Sequence, residues 1–293
     1  MTSFIHKYSP KKLDDFYLKD DLKLYLKASI ENDNMNIMLI GDTCTGKTNL
    51  IKILINKYYN NNYNDDDILF INSIKDNGIN YFRNELKVFC QIKSLNKKII
   101  VLDDIDELND ISQQILRTYI DKYENIIFLC SCSNILKIIE GLQSRLICIN
   151  LIPLSLNESD KIIDTILQKE DIKMSDHIKN ILKTICNNNI KLIINYLEKI
   201  KLLDNELNEE IIYQICNNIS FNELEMYFQY CKTKEIKLGF QLLLNKTKSG
   251  YSVMDILDSL FMFIKNTLIF ENNKNNEIIK ILCKYITIFY NIH

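Results

Sequence analysis

Gly41-Asp42-Thr43-Cys44-Thr45-Gly46-Lys47-Thr48 fits G-x-x-x-x-G-K-[ST], a loop pattern that wraps phosphate groups. The apolar run Ile37-Met38-Leu39-Ile40 precedes it and predicts a buried strand. Asn49-Leu50-Ile51-Lys52-Ile53-Leu54-Ile55 follows and predicts the start of a helix. Strand, loop and helix in that order are the context the motif needs. From Gly41 to Asn49, backbone N–H groups and the helix N-terminus are then expected to face a nucleoside triphosphate. Lys47 is placed to reach the β- and γ-phosphates, and the Thr48 hydroxyl to hold Mg²⁺. Cys44 stands where many such loops carry a third glycine, so the turn is expected to be slightly strained. The plainer alternative is a glycine-bounded turn that fits the pattern by chance.

The rest of the chain agrees with an α/β phosphate-binding fold. The 293 residues suit two or three domains, and 47% hydrophobic with 25% charged residues is an ordinary globular balance. Six glycines and two prolines favour long helices and short loops. A formal net charge of -2 restricts any nucleic-acid surface to a local patch. The nine cysteines lack metal-site spacing and read as buried, reduced thiols of an intracellular protein. His6, His177 and His293 are scattered, with no catalytic or metal partner near in sequence. No signal peptide and no membrane-spanning apolar stretch is expected.

Residues 1–36 read as a polar lead-in with a helix near 20–31. Apolar runs then fall at 37–40, 68–72, 98–103, 126–132 and 146–151, separated by helical patterns near 47–59, 78–91, 110–122 and 134–142. This alternation predicts a parallel sheet covered by helices. After Pro153 the pattern is helical only, with about three helices over 155–203 and about five over 206–293. The predicted organisation is a nucleotide-binding domain at 1–152, a small helical lid at 153–204 and an all-α collar at 205–293. Ile256, Leu257, Leu260, Phe261 and Phe263 are expected in the core of the last part.

Lys98-Ile99-Ile100-Val101-Leu102-Asp103-Asp104-Ile105-Asp106 is an apolar strand ending in carboxylates. Such a strand completes a P-loop site by setting one acid beside Mg²⁺ and a second where it polarises the attacking water. Asp103 is the expected metal-side acid and Asp104 the candidate base. Alone, the segment reads equally well as a strand with a solvated acidic end.

These boxes, with others, resemble the small subunits of replication factor C, the sliding-clamp loader of the AAA+ class. Lys7-Tyr8-Ser9-Pro10 followed by Leu13-Asp14-Asp15-Phe16 is similar to that family's K-Y-R-P…L-D-D opening. Ile71-Asn72-Ser73…Asp76…Gly78-Ile79…Arg83…Lys87-Val88-Phe89 is similar to its L-N-A-S-D…G-I…R…I-K-x-F box. Leu102 to Arg117 resembles L-D-E-A-D…A-Q-Q-A-L-R, and Lys137-Ile138-Ile139-Glu140…Gln143-Ser144-Arg145 resembles K-I-I-E-P-I-Q-S-R-C. Gly250-Tyr251-Ser252-Val253-Met254-Asp255-Ile256-Leu257 looks like the collar's G-Y-S…D-I-L pattern.

The resemblance implies an AAA+ P-loop domain, a lid and a collar in a ring-like hetero-pentamer. Its expected ligands and partners are ATP, Mg²⁺, other loader subunits, a sliding clamp and primer–template DNA, with no membrane. Arg145 matches the arginine that reaches a neighbour's ATP; an ordinary surface ion pair is the alternative. Leu146 replaces the usual cysteine. Ser133, with Asn134 beside it, matches the first sensor. Lys191 matches the second sensor's arginine, keeping its charge but losing bidentate geometry. Ile5 and Tyr8 match residues that line the adenine pocket, and Ser9 replaces an arginine there. Arg83 and Lys87 match basic positions facing duplex DNA, where phosphate contacts would be sequence-independent; a solvated helix face is the alternative. Asp104 replaces a glutamate and is one methylene shorter.

Three functions follow as expectations: a working clamp-loader ATPase subunit, an ATP-binding ring subunit that hydrolyses poorly and donates Arg145, or another AAA+ ATPase such as a helicase loader or Holliday-junction motor. The Gln113-Gln114 box and Ser144-Arg145 argue against the third. The expected place of action is the nucleus of a cell or a viral replication site.

Overall fold

Five apolar runs form strands, all parallel: β1 (Ile37–Ile40), β2 (Ile68–Asn72), β3 (Lys98–Asp103), β4 (Ile126–Cys132) and β5 (Ile147–Asn150). The sheet order is β2-β3-β4-β1-β5, with Ile37 opposite both Leu129 and Ile147, and Leu102 opposite Cys130. A computed structural model describes residues 3–73, 79–92, 94, 96–186, 188–203, 211–212, 215–216, 219, 221–266 and 272–292. Asp76 and Gly78 of the second sequence box lie outside these.

The strands are near-continuous apolar runs because both faces of the sheet are covered. Alternation along each strand sends side chains to opposite faces. Ile37, Leu39, Ile99, Val101, Ile127 and Leu129 pack with Leu26 of α2 (Asp20–Glu31) and with Leu50, Ile51 and Leu54 of α3 (Lys47–Tyr58). Met38, Ile100, Leu102, Phe128 and Cys130 pack with Phe82 and Leu86 of α4 (Ile79–Gln91) and Leu116 of α5 (Asp110–Lys122). Each fully buried Leu, Ile or Phe contributes about 1.5–3 kcal/mol of apolar transfer. Because the five strands are parallel, their carboxyl ends lie at one end of the sheet, where the loops after β1, β3 and β4 converge.

Two sequence expectations are corrected. The lead-in also contains a short helix, α1 (Phe4–Tyr8). The single helix expected at 134–142 is a 3-10 turn at Ile135–Lys137 and a separate short α6 (Glu140–Gln143). The Asn134 side chain caps the turn by accepting from Leu136 N at 2.9 Å, which offers the backbone an alternative to a continuous helix.

The chain divides into two compact units. One comprises residues 1–171 and 188–195, and includes α7 (Leu156–Glu170), whose N-terminus is a Ser155/Glu158 capping box. The other comprises 172–187 and 196–293. Its described helices include α8 (Asp176–Ile185), the later part of α9 (Ile190–Leu203), α10 (Phe221–Lys232), α11 (Ile236–Lys248), α12 (Val253–Asn266) and α13 (Asn272–Ile292). Leu224, Phe228, Ile256, Leu260 and Phe263 form its core, with the Phe228 and Phe263 rings stacked 5.5 Å apart. Among the described residues, no helix is long and apolar enough to cross a membrane.

All nine cysteines are free. Cys90, Cys130, Cys132, Cys186 and Cys216 are buried as the composition suggested, and burial raises the pKa values of Cys132, Cys186 and Cys216 to about 12. Cys44, Cys148, Cys231 and Cys283 are exposed, so the expectation of buried thiols holds for only part of the set.

Candidate functional site

β1 delivers the chain to Gly41, whose N–H donates to Cys132 O at 3.2 Å and joins the loop to the end of β4. A Cβ on Gly41 would come within 2.9 Å of Leu151 O and Thr45 Oγ1. Gly46 has φ +90, and its Cβ would lie 2.5 Å from Phe16 Cζ. Both glycines are therefore needed, one for close approach and one also for its left-handed backbone. Cys44 is left-handed too, at φ 66, which is the strain expected of a residue with a Cβ there. Thr45 closes the turn, its hydroxyl donating to Asp42 O at 2.9 Å.

α3 starts at Lys47, so its first amides point toward the loop. The Lys47 side chain is buried and donates to Gly41 O at 2.6 Å, Asp42 O at 3.1 Å and Ser133 Oγ at 3.2 Å. One residue on, the Thr48 hydroxyl donates to Asp103 Oδ2 at 2.9 Å. A hydroxyl paired with a carboxylate is a hard oxygen set suited to Mg²⁺. The tight glycines, the helix N-terminus and this oxygen pair fit a triphosphate with magnesium.

The ends of β3 and β4 hold one another. Ser131 of β4 is fully buried; its hydroxyl donates to Asp103 Oδ1 and accepts from Asp104 N at 3.0 Å. Asp104 takes a left-handed conformation, φ 55. Burial, with Asp103 beside it, pushes the Asp104 carboxyl above the usual carboxylate range, while Lys47 opposes the shift. In the other direction, buried Asp106 accepts from Ser133 N at 3.2 Å and Asn134 N at 3.0 Å.

The structure thus brings together Gly41, Asp42, Lys47, Thr48, Asp103, Asp104 and Ser133. Thr43 and Asn49 belong to the same loop and helix start. Ser133 meets Lys47, whereas the Asn134 oxygen is engaged by Leu136 N. Ile5 and Tyr8 lie on α1; the Tyr8 hydroxyl donates to buried Glu170 at 2.5 Å, which Lys7 also contacts at 2.6 Å. Burial, then the Glu170 hydrogen bond, raises the Tyr8 pKa. Lys191 is exposed in the first turn of α9, its amide donating to Asn189 Oδ1. Arg83 and Lys87 are exposed one turn apart on α4.

Arg145 stands elsewhere. It precedes β5, whose Ile147 pairs with Ile37, so it lies at the amino ends of strands whose carboxyl ends carry the P-loop. Its Nε donates to Asp121, and its Nη1 donates to Gly141 O at 2.8 Å. The Asp121 hydrogen bond raises the Arg145 pKa, and Arg145 in turn lowers that of Asp121. At the other end of α5 from Asp121, fully buried Gln113 donates to Leu108 O and Lys137 O and accepts from Ile139 N, tying α5 to the chain before α6.

Sequence reading missed Ser131, Asp106 and Glu170. Their partners are distant in sequence; the only signal was Asp106 as the third carboxylate of the run that begins at Asp103, the last residue of β3.

An AAA domain family matches residues 33–159. Among similar curated proteins, "Probable replication factor C subunit 5" of Dictyostelium discoideum is 28% identical over 89% of this chain and 78% of its own. "Replication factor C subunit 3" of Saccharomyces cerevisiae is 25% identical over 99% and 87%. The "Replication factor C small subunit" of Methanococcus vannielii is 26% identical over 92% and 88%. The chain is similar to replication factor C small subunits over most of its length. Its fold is AAA+: the solved structure of a Thermotoga maritima RuvB Holliday junction branch migration motor superposes with TM-score 0.56 at 14% identity, over 78% of this chain and 80% of that one. Relatedness to replication factor C rests on the sequence matches, since a fold shared at such low identity says nothing of function.

Proposed function

We propose that this chain is an ATP-binding and ATP-hydrolysing subunit of a replication factor C-type clamp loader, acting with other subunits to place a sliding clamp on primer–template DNA. The observation that carries the reading is the Thr48–Asp103 pair beside Lys47, in a chain whose relatives are replication factor C subunits. Gly41 to Asn49 would cradle the phosphates, and Lys47 would neutralise the β- and γ-phosphates. Thr48 and Asp103 would hold Mg²⁺, which when bound offsets charge on the phosphate oxygens. Asp104 would orient the attacking water, with Ser133 near the γ-phosphate. Ile5 and Tyr8 would flank the adenine, and Lys191 would approach from the lid. Arg145 would serve a neighbour's site, which its place at the far ends of the strands supports. Arg83 and Lys87 would contact DNA phosphates. The division into nucleotide domain, lid and collar, and a nuclear site of action, belong to the same proposal.

Steady-state ATPase of the chain with its partner subunits tests it, comparing wild type with Lys47→Ala and Arg145→Ala, with and without primed DNA and clamp. DNA- and clamp-stimulated turnover lowered by both substitutions is expected. A rate indifferent to DNA and clamp in the assembled complex would sink the clamp-loader reading.

A second reading is favoured by Asp104 itself: it is short for a base and held in a left-handed turn. The chain would then bind ATP and donate Arg145 while turning over slowly. A large rate gain in Asp104→Glu supports this reading; no gain supports a working site.

A further inference from the structure

We infer that Asp106 is a positioning residue that makes the site sensitive to the γ-phosphate; this rests on the ATP-site reading above. Asp106 is only 8% exposed. Both of its oxygens face the two backbone amides that follow β4: Oδ1 lies 3.3 Å and Oδ2 3.2 Å from Ser133 N, and Oδ2 lies 3.0 Å from Asn134 N. A carboxylate accepting backbone N–H groups makes charge-assisted bonds, stronger than neutral ones. Those bonds fix where the chain leaves the sheet. Ser133 is at that point, and its hydroxyl meets Lys47 Nζ at 3.2 Å. Without the carboxylate, Ser133, whose side chain is exposed, loses the charge-assisted bonds that hold its backbone amide.

The same geometry argues against Asp106 as a base. Its oxygens are committed to amides and removed from solvent, whereas Asp104 is only partly buried. Asp106 acts through Ser133, the side chain proposed to lie near the γ-phosphate, and touches no reacting atom. Its loss should weaken recognition of the terminal phosphate and leave recognition of the other two largely intact. Outer-shell partners that orient metal ligands, a comparable supporting role, cost about 10–100-fold in affinity or activity when lost.

The test is titration of the full chain with a fluorescent, slowly hydrolysed ATP analogue and with fluorescent ADP, for wild type, Asp106→Asn, Ser133→Ala and the double variant. Asp106→Asn should lower affinity for the ATP analogue about tenfold and leave ADP affinity nearly unchanged. Ser133→Ala should behave alike, and the double variant should be no worse than either. Equal losses for ATP analogue and ADP, or additive losses in the double variant, overturn the inference. A wild-type chain that binds neither nucleotide overturns the ATP-site reading and this inference with it, whereas unchanged ATP preference in Asp106→Asn overturns this inference alone. Should Asp106→Asn not fold, hydrogen exchange of the wild-type amides decides: slow exchange at Ser133 and Asn134 supports the anchor, and exchange at open-loop rates overturns it.

Discussion

The ring of Phe16 closes over Gly46, with Cζ 2.5 Å from the point a Cβ would occupy. Gly46→Ala therefore meets two obstacles, a clash and a positive φ of 90°. Overpacking costs about 1–3 kcal/mol and a left-handed alanine about 1–2 kcal/mol. A melting temperature lower by roughly 5–10 °C is expected in a thermal scan, with weakened ATP binding. Phe16→Ala in the same chain should return part of the stability, since it relieves the clash and leaves φ untouched. Wild-type melting of Gly46→Ala would show that this packing is not there.

Cys44 holds a left-handed turn with a side chain that disfavours it. Glycine removes that strain, about 1–2 kcal/mol, and returns some freedom to the unfolded chain, about 0.4–1 kcal/mol. Cys44→Gly should thus gain on the order of 0.5–1 kcal/mol in urea denaturation. Cys44→Val, β-branched at positive φ, should lose stability. The opposite order would contradict the strain.

Asp121 orients Arg145 across an exposed ion pair. The hydrogen bond from Arg145 holds the Asp121 carboxyl below its ordinary range. A depressed acid pKa stabilises the fold above the unfolded value of about 3.9, and that stability is lost as pH falls through the folded pKa. Asp121→Asn should therefore melt slightly below wild type near neutrality, and the two curves should merge in acid. In an assembled complex it should also slow turnover, by releasing the guanidinium. A constant gap between the curves from neutral to acid pH would show that the charge is irrelevant.

Gln113 spends its whole amide on three backbone groups inside the core. Gln113→Ala leaves those groups unpaired, each at about 1–3 kcal/mol, and opens a cavity. A loss of roughly 3 kcal/mol or more is expected from chemical denaturation. A loss under 1 kcal/mol would mean that the loop before α6 finds other partners.

Much of the fold was legible because a sheet covered on both faces writes its strands as unbroken apolar runs. All five runs became strands within a residue of the expected ends, and α2, α3, α4 and α5 followed. The P-loop was legible because its residues are contiguous. The parts missed depend on distant partners. Nothing near Ser131 in sequence shows that it clasps Asp103, and nothing near Phe16 shows that it covers Gly46. The break at 134–142 turned on one asparagine oxygen choosing the Leu136 amide, a local bond that apolar periodicity does not register.

The P-loop lies at the carboxyl ends of the strands and Arg145 at the amino ends of the same sheet. If Arg145 serves a neighbour's site, as proposed, a row of such chains has a direction. Each junction joins unlike surfaces, the heterologous contact that closes into a ring or leaves an open chain. An open row holds one fewer composite site than it has members. Its first member lacks a donor for its phosphates, and its last offers a guanidinium that no nucleotide meets. The two terminal positions would then tolerate opposite losses, Lys47 at one and Arg145 at the other, and that asymmetry would reveal where in the row this chain sits.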